Sequence, residues 1–205
     1  MRIKITNLGK RYNREWIFRN MDFQFNPGNH YAITGPNGSG KSTLLQLISG
    51  STIYNEGSIS YFDIEQLVKP EKIFQKISFA APYLDLVEEM TLVEFFSFHH
   101  KMKGWLPILD SHKIISLLSL EKSANKQIRY FSSGMRQRVK LAQAIFSDVP
   151  AVLLDEPLTN LDHEGISLYL SLIKDYCTNR LVIISSNDKK EYSFCNEEID
   201  IRAYK

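Results

Sequence analysis

The chain has no apolar run long enough to span a bilayer, which takes about 20 residues. Its opening residues, Met1-Arg2-Ile3-Lys4-Ile5, alternate charged and apolar side chains and read as a strand rather than a signal peptide. It has only two cysteines, Cys177 and Cys195, without metal-ligand spacing, which reads as idle or buried thiols in a reducing cytosol. The net charge is only +2 and no run of like charges forms a tail, so there is no electrostatic case for nucleic acid or an anionic membrane as partner. Internal repeats and low-complexity segments are missing too. What remains is 205 residues, 43% of them hydrophobic, enough to build one domain or one domain with an elaborated lobe.

Hydrophobic periodicity divides that length. Ile3, Ile5 and Leu8 alternate, as do the apolar residues of Met21–Phe25, which stops at the turn signal Asn26-Pro27-Gly28-Asn29. His30–Thr34 predicts a strand running into a glycine-rich loop. Leu44, Leu45 and Ile48 predict a helix over Ser42–Ser49 that stops at Gly50. Ser58–Phe62 and Ile77–Ala81 read as further strands. From about Tyr83 to Ser132 the texture becomes helical. Thr91 and Glu94 form a capping-box pattern ahead of Leu92, Phe95, Phe96 and Phe98, and Ile114–Leu120 carries another helical stripe. A helix over Met135–Ser147 follows. Ala151–Leu154 and Leu181–Ile184 are continuous apolar runs suited to parallel strands covered on both faces, and the helical pattern Gly165–Tyr176 between them makes a βαβ unit.

Gly35-Pro36-Asn37-Gly38-Ser39-Gly40-Lys41-Ser42, continuing into Thr43, fits the phosphate-loop pattern of glycine, four residues, then Gly-Lys-Ser/Thr. The residue types follow from the chemistry. Glycines let backbone N–H groups turn toward phosphate oxygens, and the loop feeds a helix N-terminus that favours an anion. Lys41 supplies a point charge for the β- and γ-phosphates, and Ser42 a hydroxyl for magnesium. At average residue usage the bare pattern arises in roughly one chain of this length in a hundred, and a strand before it and a helix after it lower that further. A phosphoryl-transfer site also needs a metal-directing carboxylate and a group that handles water. Asp155 closes the apolar run from Ala151, at the carboxyl edge of a buried strand where open α/β sheets bind ligands, and Glu156 follows in the position of a general base.

Between loop and carboxylates lies Phe131-Ser132-Ser133-Gly134-Met135-Arg136-Gln137-Arg138-Val139. With it, the chain resembles the ATP-binding cassette (ABC) family. The segment is similar to that family's signature motif, Leu-Ser-Gly-Gly-Gln followed by a basic helix. Phe131, Ser133 and Met135 replace its first, third and fifth residues, while Ser132 and Gly134 are kept. Leu158-Thr159-Asn160-Leu161-Asp162 resembles the D-loop, and Tyr12 falls where the family stacks an aromatic ring on adenine, although ordinary packing also accounts for a tyrosine there.

The resemblance covers nearly the whole chain, 1–205 as one nucleotide-binding domain. It implies an α/β fold: a P-loop NTPase core with a mostly parallel sheet, an N-terminal antiparallel β lobe, and an inserted helical lobe at roughly 83–132. It also implies ATP and Mg2+ as cofactors, with Ser42 and Asp155 at the metal and Glu156 as base. The signature residues Ser132, Ser133, Gly134 and Met135 would close over the ATP of a second ABC subunit, and Asp162 of the D-loop would lie at that interface. The partner would be an integral membrane transporter subunit, with this chain cytoplasmic and peripheral at the inner face of the cell membrane.

Two positions depart from the family. A histidine is usual after the last core strand. Here Ser185-Ser186 is followed by Asn187, and no histidine occurs after His163. Asparagine can bond a phosphate oxygen but cannot carry charge or shuttle a proton. The glutamine usual near the start of the helical lobe is replaced by Pro82, and no glutamine lies between Gln75 and Gln127. The expectation is an ATP-hydrolysing transporter subunit, exporter-type by its Met135 and compact size, with slow hydrolysis. The alternatives are a catalytically weak regulatory cassette, or a soluble ABC protein acting on ribosomes or DNA, whose double cassette or long coiled coil this chain lacks.

Overall fold

The computed structural model describes all 205 residues. Strands β1 (Arg2–Tyr12) and β2 (Glu15–Phe25) form a hairpin whose turn places Asn13 at φ 53°. Both run longer than the alternation predicts, because Lys10, Arg11 and Arg19 put charge into their distal halves and hide the period. β3 (His30–Thr34) leads through the glycine loop into helix α1 (Lys41–Ile48). β4 (Glu56–Asp63) and the two-residue β5 (Gln66–Leu67) form a second hairpin, and β6 (Ile77–Ala80) follows. Next come α2 (Leu92–Lys103), α3 (Ser111–Leu117) and α4 (Ser133–Ile145). β7 (Ala151–Asp155), α5 (His163–Tyr176), β8 (Leu181–Ser185), α6 (Lys189–Tyr192) and β9 (Glu197–Asp200) complete the chain. No helix is long and apolar enough to cross a membrane.

The chain divides into two compact units. The first comprises Met1–Phe79, Pro150–Asp155 and Asn179–Lys205, and holds both sheets. One sheet, in the order β2-β1-β4-β5, is antiparallel, with Ile3 opposite Phe25 and Ile5 opposite Ile59. The other has the order β6-β7-β8-β3-β9, and its β7–β8, β8–β3 and β3–β9 pairs are parallel. Side chains alternate between the faces of a strand. Ala151, Leu153, Leu181 and Ile183 join the buried cluster that contains Leu44, Leu45, Leu47 and Ile48 of α1. The next residues on that same face, at the carboxyl ends of their strands, are Asp155 and Ser185. The face is apolar beneath the body of α1 and turns polar where the phosphate loop begins. Phe23, Phe25 and Tyr31 seal another part of this core, with Phe25 and Tyr31 edge to face at 5.0 Å.

The second unit comprises Ala80–Val149 and Glu156–Thr178. It therefore takes in α4 and α5 as well as the 83–132 stretch. The Thr91 capping box forms as the sequence predicts: the Thr91 hydroxyl accepts from the Glu94 N–H, and the Glu94 carboxylate accepts from the Thr91 N–H. Leu92, Phe95 and Phe96 are buried, whereas Phe98 points outward. The Ile114–Leu120 stripe is helical only to Leu117, because the chain turns at Ser119 with φ 57°.

His99 stacks on Trp105 with ring centroids 4.6 Å apart, and its Nε2 lies 2.7 Å from the Ser147 hydroxyl. Burial pushes its pKa down to about 4, with the nearby Lys103 and His100 charges acting in the same direction. The unfolded chain takes up this proton near the ordinary histidine value of about 6.5. His99 thus contributes stability that is complete above about pH 6.5 and lost as the pH falls toward 4. His99→Gln should flatten part of the fall in melting temperature between pH 6.5 and 4.5. An acid slope as steep as the parent's would exclude His99 as a source.

Candidate functional site

Gly40 is the hinge between loop and helix. It caps α1 at φ 107°, and a Cβ there would run into the Ile17 side chain of β2, so both conformation and space require glycine. No side chain caps α1 and no acidic residue lies in its first turn, so its N-terminal N–H groups and positive dipole end are left for an external anion. Pro36, Asn37 and Gly38 are exposed at the crest, while Ser39 and Lys41 are buried. The Lys41 ammonium donates to the Gly35 carbonyl at 2.7 Å and to the Pro36 carbonyl at 3.3 Å. The Ser39 hydroxyl is buried with no protein hydrogen-bond partner.

Asp155 is 2% exposed at the end of β7, in register with Ser185 of β8. Its Oδ1 is buried and accepts no protein hydrogen bond. A carboxylate oxygen left this way costs on the order of 1–3 kcal/mol unless something else satisfies it. Ser42 lies in the first turn of α1. One carboxylate plus one hydroxyl is a donor set that fits a hard divalent cation bound largely through water and phosphate oxygens. No three-residue cluster of His, Cys, Asp and Glu could cage a metal by itself. Tyr12 ends β1 with its ring half-exposed, and the Lys10 ammonium lies 4.7 Å from the ring centroid. Lys10 is itself tied down by a 2.7 Å bond to the Ile53 carbonyl.

Asn187, at the position where a histidine is usual in the family the sequence resembles, donates from its side-chain amide to the side-chain Oδ1 of Asn37 at 3.0 Å. The Asn187 side chain is therefore engaged with the crest of the phosphate loop itself.

Within the second unit, Ser132 is the N-cap of α4, and its hydroxyl accepts from the Met135 N–H. Ser132 and Ser133 are exposed. Gly134 packs so closely that a Cβ would stand 3.1 Å from the Asn160 carbonyl, which fixes the start of α4 against the segment that resembles a D-loop. Asp162 caps α5. The Gly165 amide holds its carboxyl below the usual range, and Arg138 reinforces this from 3.3 Å. Gln137, buried, donates to the Pro157 carbonyl at 2.8 Å. A cavity of about 430 Å³ lies among Ser119, Ser132, Gly134, Arg138, Asn160 and Asp162. Glu156 is exposed and sits at φ 42°, a left-handed conformation that glutamate rarely adopts, stabilised by a turn in which the Thr159 N–H donates to its carbonyl. Pro82 presents its carbonyl to the Lys140 ammonium at 2.7 Å.

The structure thus brings Lys41, Ser42, Asp155, Asn37 and Asn187 into one unit, and Ser132–Met135, Glu156 and Asp162 into the other. Sequence reasoning did not find Ser185, Lys140 or the Lys10 brace under Tyr12. The only linear trace of Ser185 was its place at the end of an apolar run.

A strand, a glycine loop and a helix, with a buried carboxylate at the end of another strand of the same parallel sheet, define a P-loop nucleoside triphosphatase. Comparison narrows this. A family model described as ABC transporter matches residues 18–159. An uncharacterized ABC transporter ATP-binding protein of Bacillus subtilis (strain 168), YybJ, is 31% identical over 97% of this chain and 92% of its own length. The cytochrome c biogenesis ATP-binding export protein CcmA of Xylella fastidiosa (strain 9a5c) is 32% identical over 72% of this chain and 66% of its own. A putative ABC transporter ATP-binding protein from Pyrococcus furiosus superimposes with a TM-score of 0.82 at 24% identity, covering 100% of this chain and 99% of that one. The chain belongs to the ABC transporter family. It is an ATP-binding ATPase with the nucleotide-binding fold of that family.

Proposed function

We propose that this ATPase powers an integral membrane transporter, as one of two cassettes that close around ATP. In this reading Lys41 and the loop amides of Gly35–Thr43 hold the phosphates, and Tyr12 stacks on the base. Ser42 and Asp155 hold Mg2+, whose chemistry when bound is to neutralise phosphate charge. Glu156 takes the proton of the attacking water. Ser132 and Gly134 at the start of α4 face the nucleotide of the partner cassette, with Asp162 at the junction. The orphaned Asp155 Oδ1 beside a phosphate loop supports the metal assignment most directly.

The direction of transport is read as export, on Met135 in the signature segment. Among the relatives, CcmA is named an export protein and LnrL of Bacillus subtilis a linearmycin resistance protein, while PhnC of Fusobacterium nucleatum is named for phosphonate import. The membrane partner holds this chain at the cytoplasmic face of the bilayer.

Hydrolysis is proposed to be slow, because Asn187 offers an amide where a histidine would offer a titrating ring. Its bond to Asn37 also favours a second reading, a weakly active cassette that works beside a more competent partner. Steady-state ATPase measurements of the purified chain, with and without its copurifying membrane protein, test both. The parent should turn over slowly, with no rate-linked titration near pH 6.5 arising from this position. Asn187→His should raise turnover by about tenfold or more and introduce such a titration. A brisk parent whose rate Asn187→His leaves unmoved would sink the account of slow hydrolysis. A parent with no ATP-dependent turnover in either preparation would favour the second reading.

A further inference from the structure

Ser185 is a fully buried serine at the carboxyl end of a core strand. It ends β8, the strand between β7 and β3, with Asp155 beside it in register on one side and Ile33 on the other. It is 0% exposed, and its hydroxyl has no protein hydrogen-bond partner. A serine hydroxyl can rotate to reach any nearby acceptor, and most buried hydroxyls find one. Asp155 Oδ1, equally buried and on the same face of the sheet, is also unpartnered, so the two groups do not bond each other. Side by side stand an acceptor and a donor-acceptor, both desolvated and both unused by the fold.

That pair lies on the face that packs α1, beyond Leu153 and Ile183 and toward the end of the helix that carries Lys41 and Ser42. A lone orphan carboxylate suits a cation. An orphan hydroxyl one strand away suits what such a cation carries with it, since magnesium gives up its waters reluctantly. We propose that the Ser185 hydroxyl is a positioning residue for the nucleotide-bound divalent cation, holding a cation-bound water next to Asp155. This rests on the assignment of Asp155 to the metal. It adds a residue that neither the phosphate-loop pattern nor the aspartate-glutamate pair would single out.

The role predicts a specific pattern in Mn2+ binding, followed by electron paramagnetic resonance on the full chain with ADP present. Ser185→Ala should weaken Mn2+ binding by about tenfold, the scale on which groups that orient metal ligands act. Its affinity for ADP without any divalent ion should match the parent's. Removing an unpaired buried hydroxyl should leave the melting temperature of the nucleotide-free protein unchanged or higher. Asp155→Ala should lose Mn2+ binding altogether. If Ser185→Ala binds Mn2+ like the parent while Asp155→Ala does not, the inference about Ser185 is wrong and the metal site stands. If Ser185→Ala weakens metal-free ADP binding or lowers the melting temperature, its role is structural and the inference again fails. If Asp155→Ala binds Mn2+ like the parent, the metal assignment itself falls, and the role of Ser185 with it.

Discussion

Glu156→Gln should cut ATP turnover by at least about a hundredfold while leaving ATP affinity within a fewfold of the parent's. General-base catalysis contributes about 10²–10⁴-fold, and glutamine keeps the size and hydrogen-bonding reach of glutamate without its capacity to accept a proton. The backbone gives a separate reason to place function here. Glu156 holds φ 42° directly after the last residue of β7, a conformation that costs a non-glycine residue of order 1–2 kcal/mol. Its surroundings fix that turn: the Thr159 N–H bonds to its carbonyl, and buried Gln137 bonds to the carbonyl of Pro157 next to it. The Glu156 side chain is exposed, one residue after Asp155 in the chain. With hydrolysis blocked, ATP should hold two copies together. The variant should elute as a dimer with ATP and Mg2+ and as a monomer with ADP, whereas the parent should pass through the dimer only transiently. Turnover by Glu156→Gln equal to the parent's would remove Glu156 from the chemistry.

What could be read from the linear chain depended on how local each feature is. The phosphate loop is a contiguous run whose glycine and lysine positions are fixed by backbone geometry over a few residues, so Gly40 and Lys41 stand where the pattern puts them. The capping box at Thr91 is equally local. β9 was not legible, because an edge strand of sequence Glu-Glu-Ile-Asp has a single apolar residue to bury and no period to show. α6 is one turn long, and β5 is two residues. The unit boundary was not legible either: α4 and α5 look like the helices of any α/β core, and only contacts between distant segments assign them with the 83–132 stretch. At the site, residue types were visible but their satisfaction was not. The sequence shows that Asp155 ends a buried strand; it cannot show that Oδ1 lacks a donor. It shows that Asn187 replaces a histidine; it cannot show that the amide is bonded to Asn37.

Those two states of satisfaction divide the site into a half prepared for ligand and a half occupied with itself. Asp155, Ser185 and Ser39 carry buried oxygens that the fold does not satisfy, and each unsatisfied group lowers the stability of the empty chain. A ligand that satisfies them recovers that deficit, so the empty protein is stabilised by nucleotide and cation in proportion to how tightly they bind. Asn37 and Asn187 satisfy each other instead, and any contact they make with a ligand has to compete with the bond between them. Lys41 shares this second condition, with its charge already shared between two loop carbonyls.

Lys41→Met should therefore weaken ATP binding by about a hundredfold or more and leave the folded chain intact. The lysine is 5% exposed, and its ammonium donates to the carbonyls of Gly35 and Pro36. Two of its three N–H bonds are thus spent on the loop, and one remains for a phosphate oxygen. A hydrogen bond to a charged group contributes about 1.5–3 kcal/mol net, and the attraction of a full charge for the β- and γ-phosphates adds to it. Methionine keeps the length and the apolar stem but neither charge nor donor. Its cost to the fold is offset, because burying an ammonium carries a desolvation penalty that burying an apolar side chain of similar volume does not. Melting of the nucleotide-free variant should stay close to that of the parent, and the rise in melting temperature that ATP produces in the parent should be missing. Lys41→Arg should not restore binding: a planar fork of five donors cannot replace a compact ammonium beneath a loop that closes around it, with both carbonyls already at bonding distance. If Lys41→Met binds ATP within threefold of the parent, the phosphates do not sit on this loop.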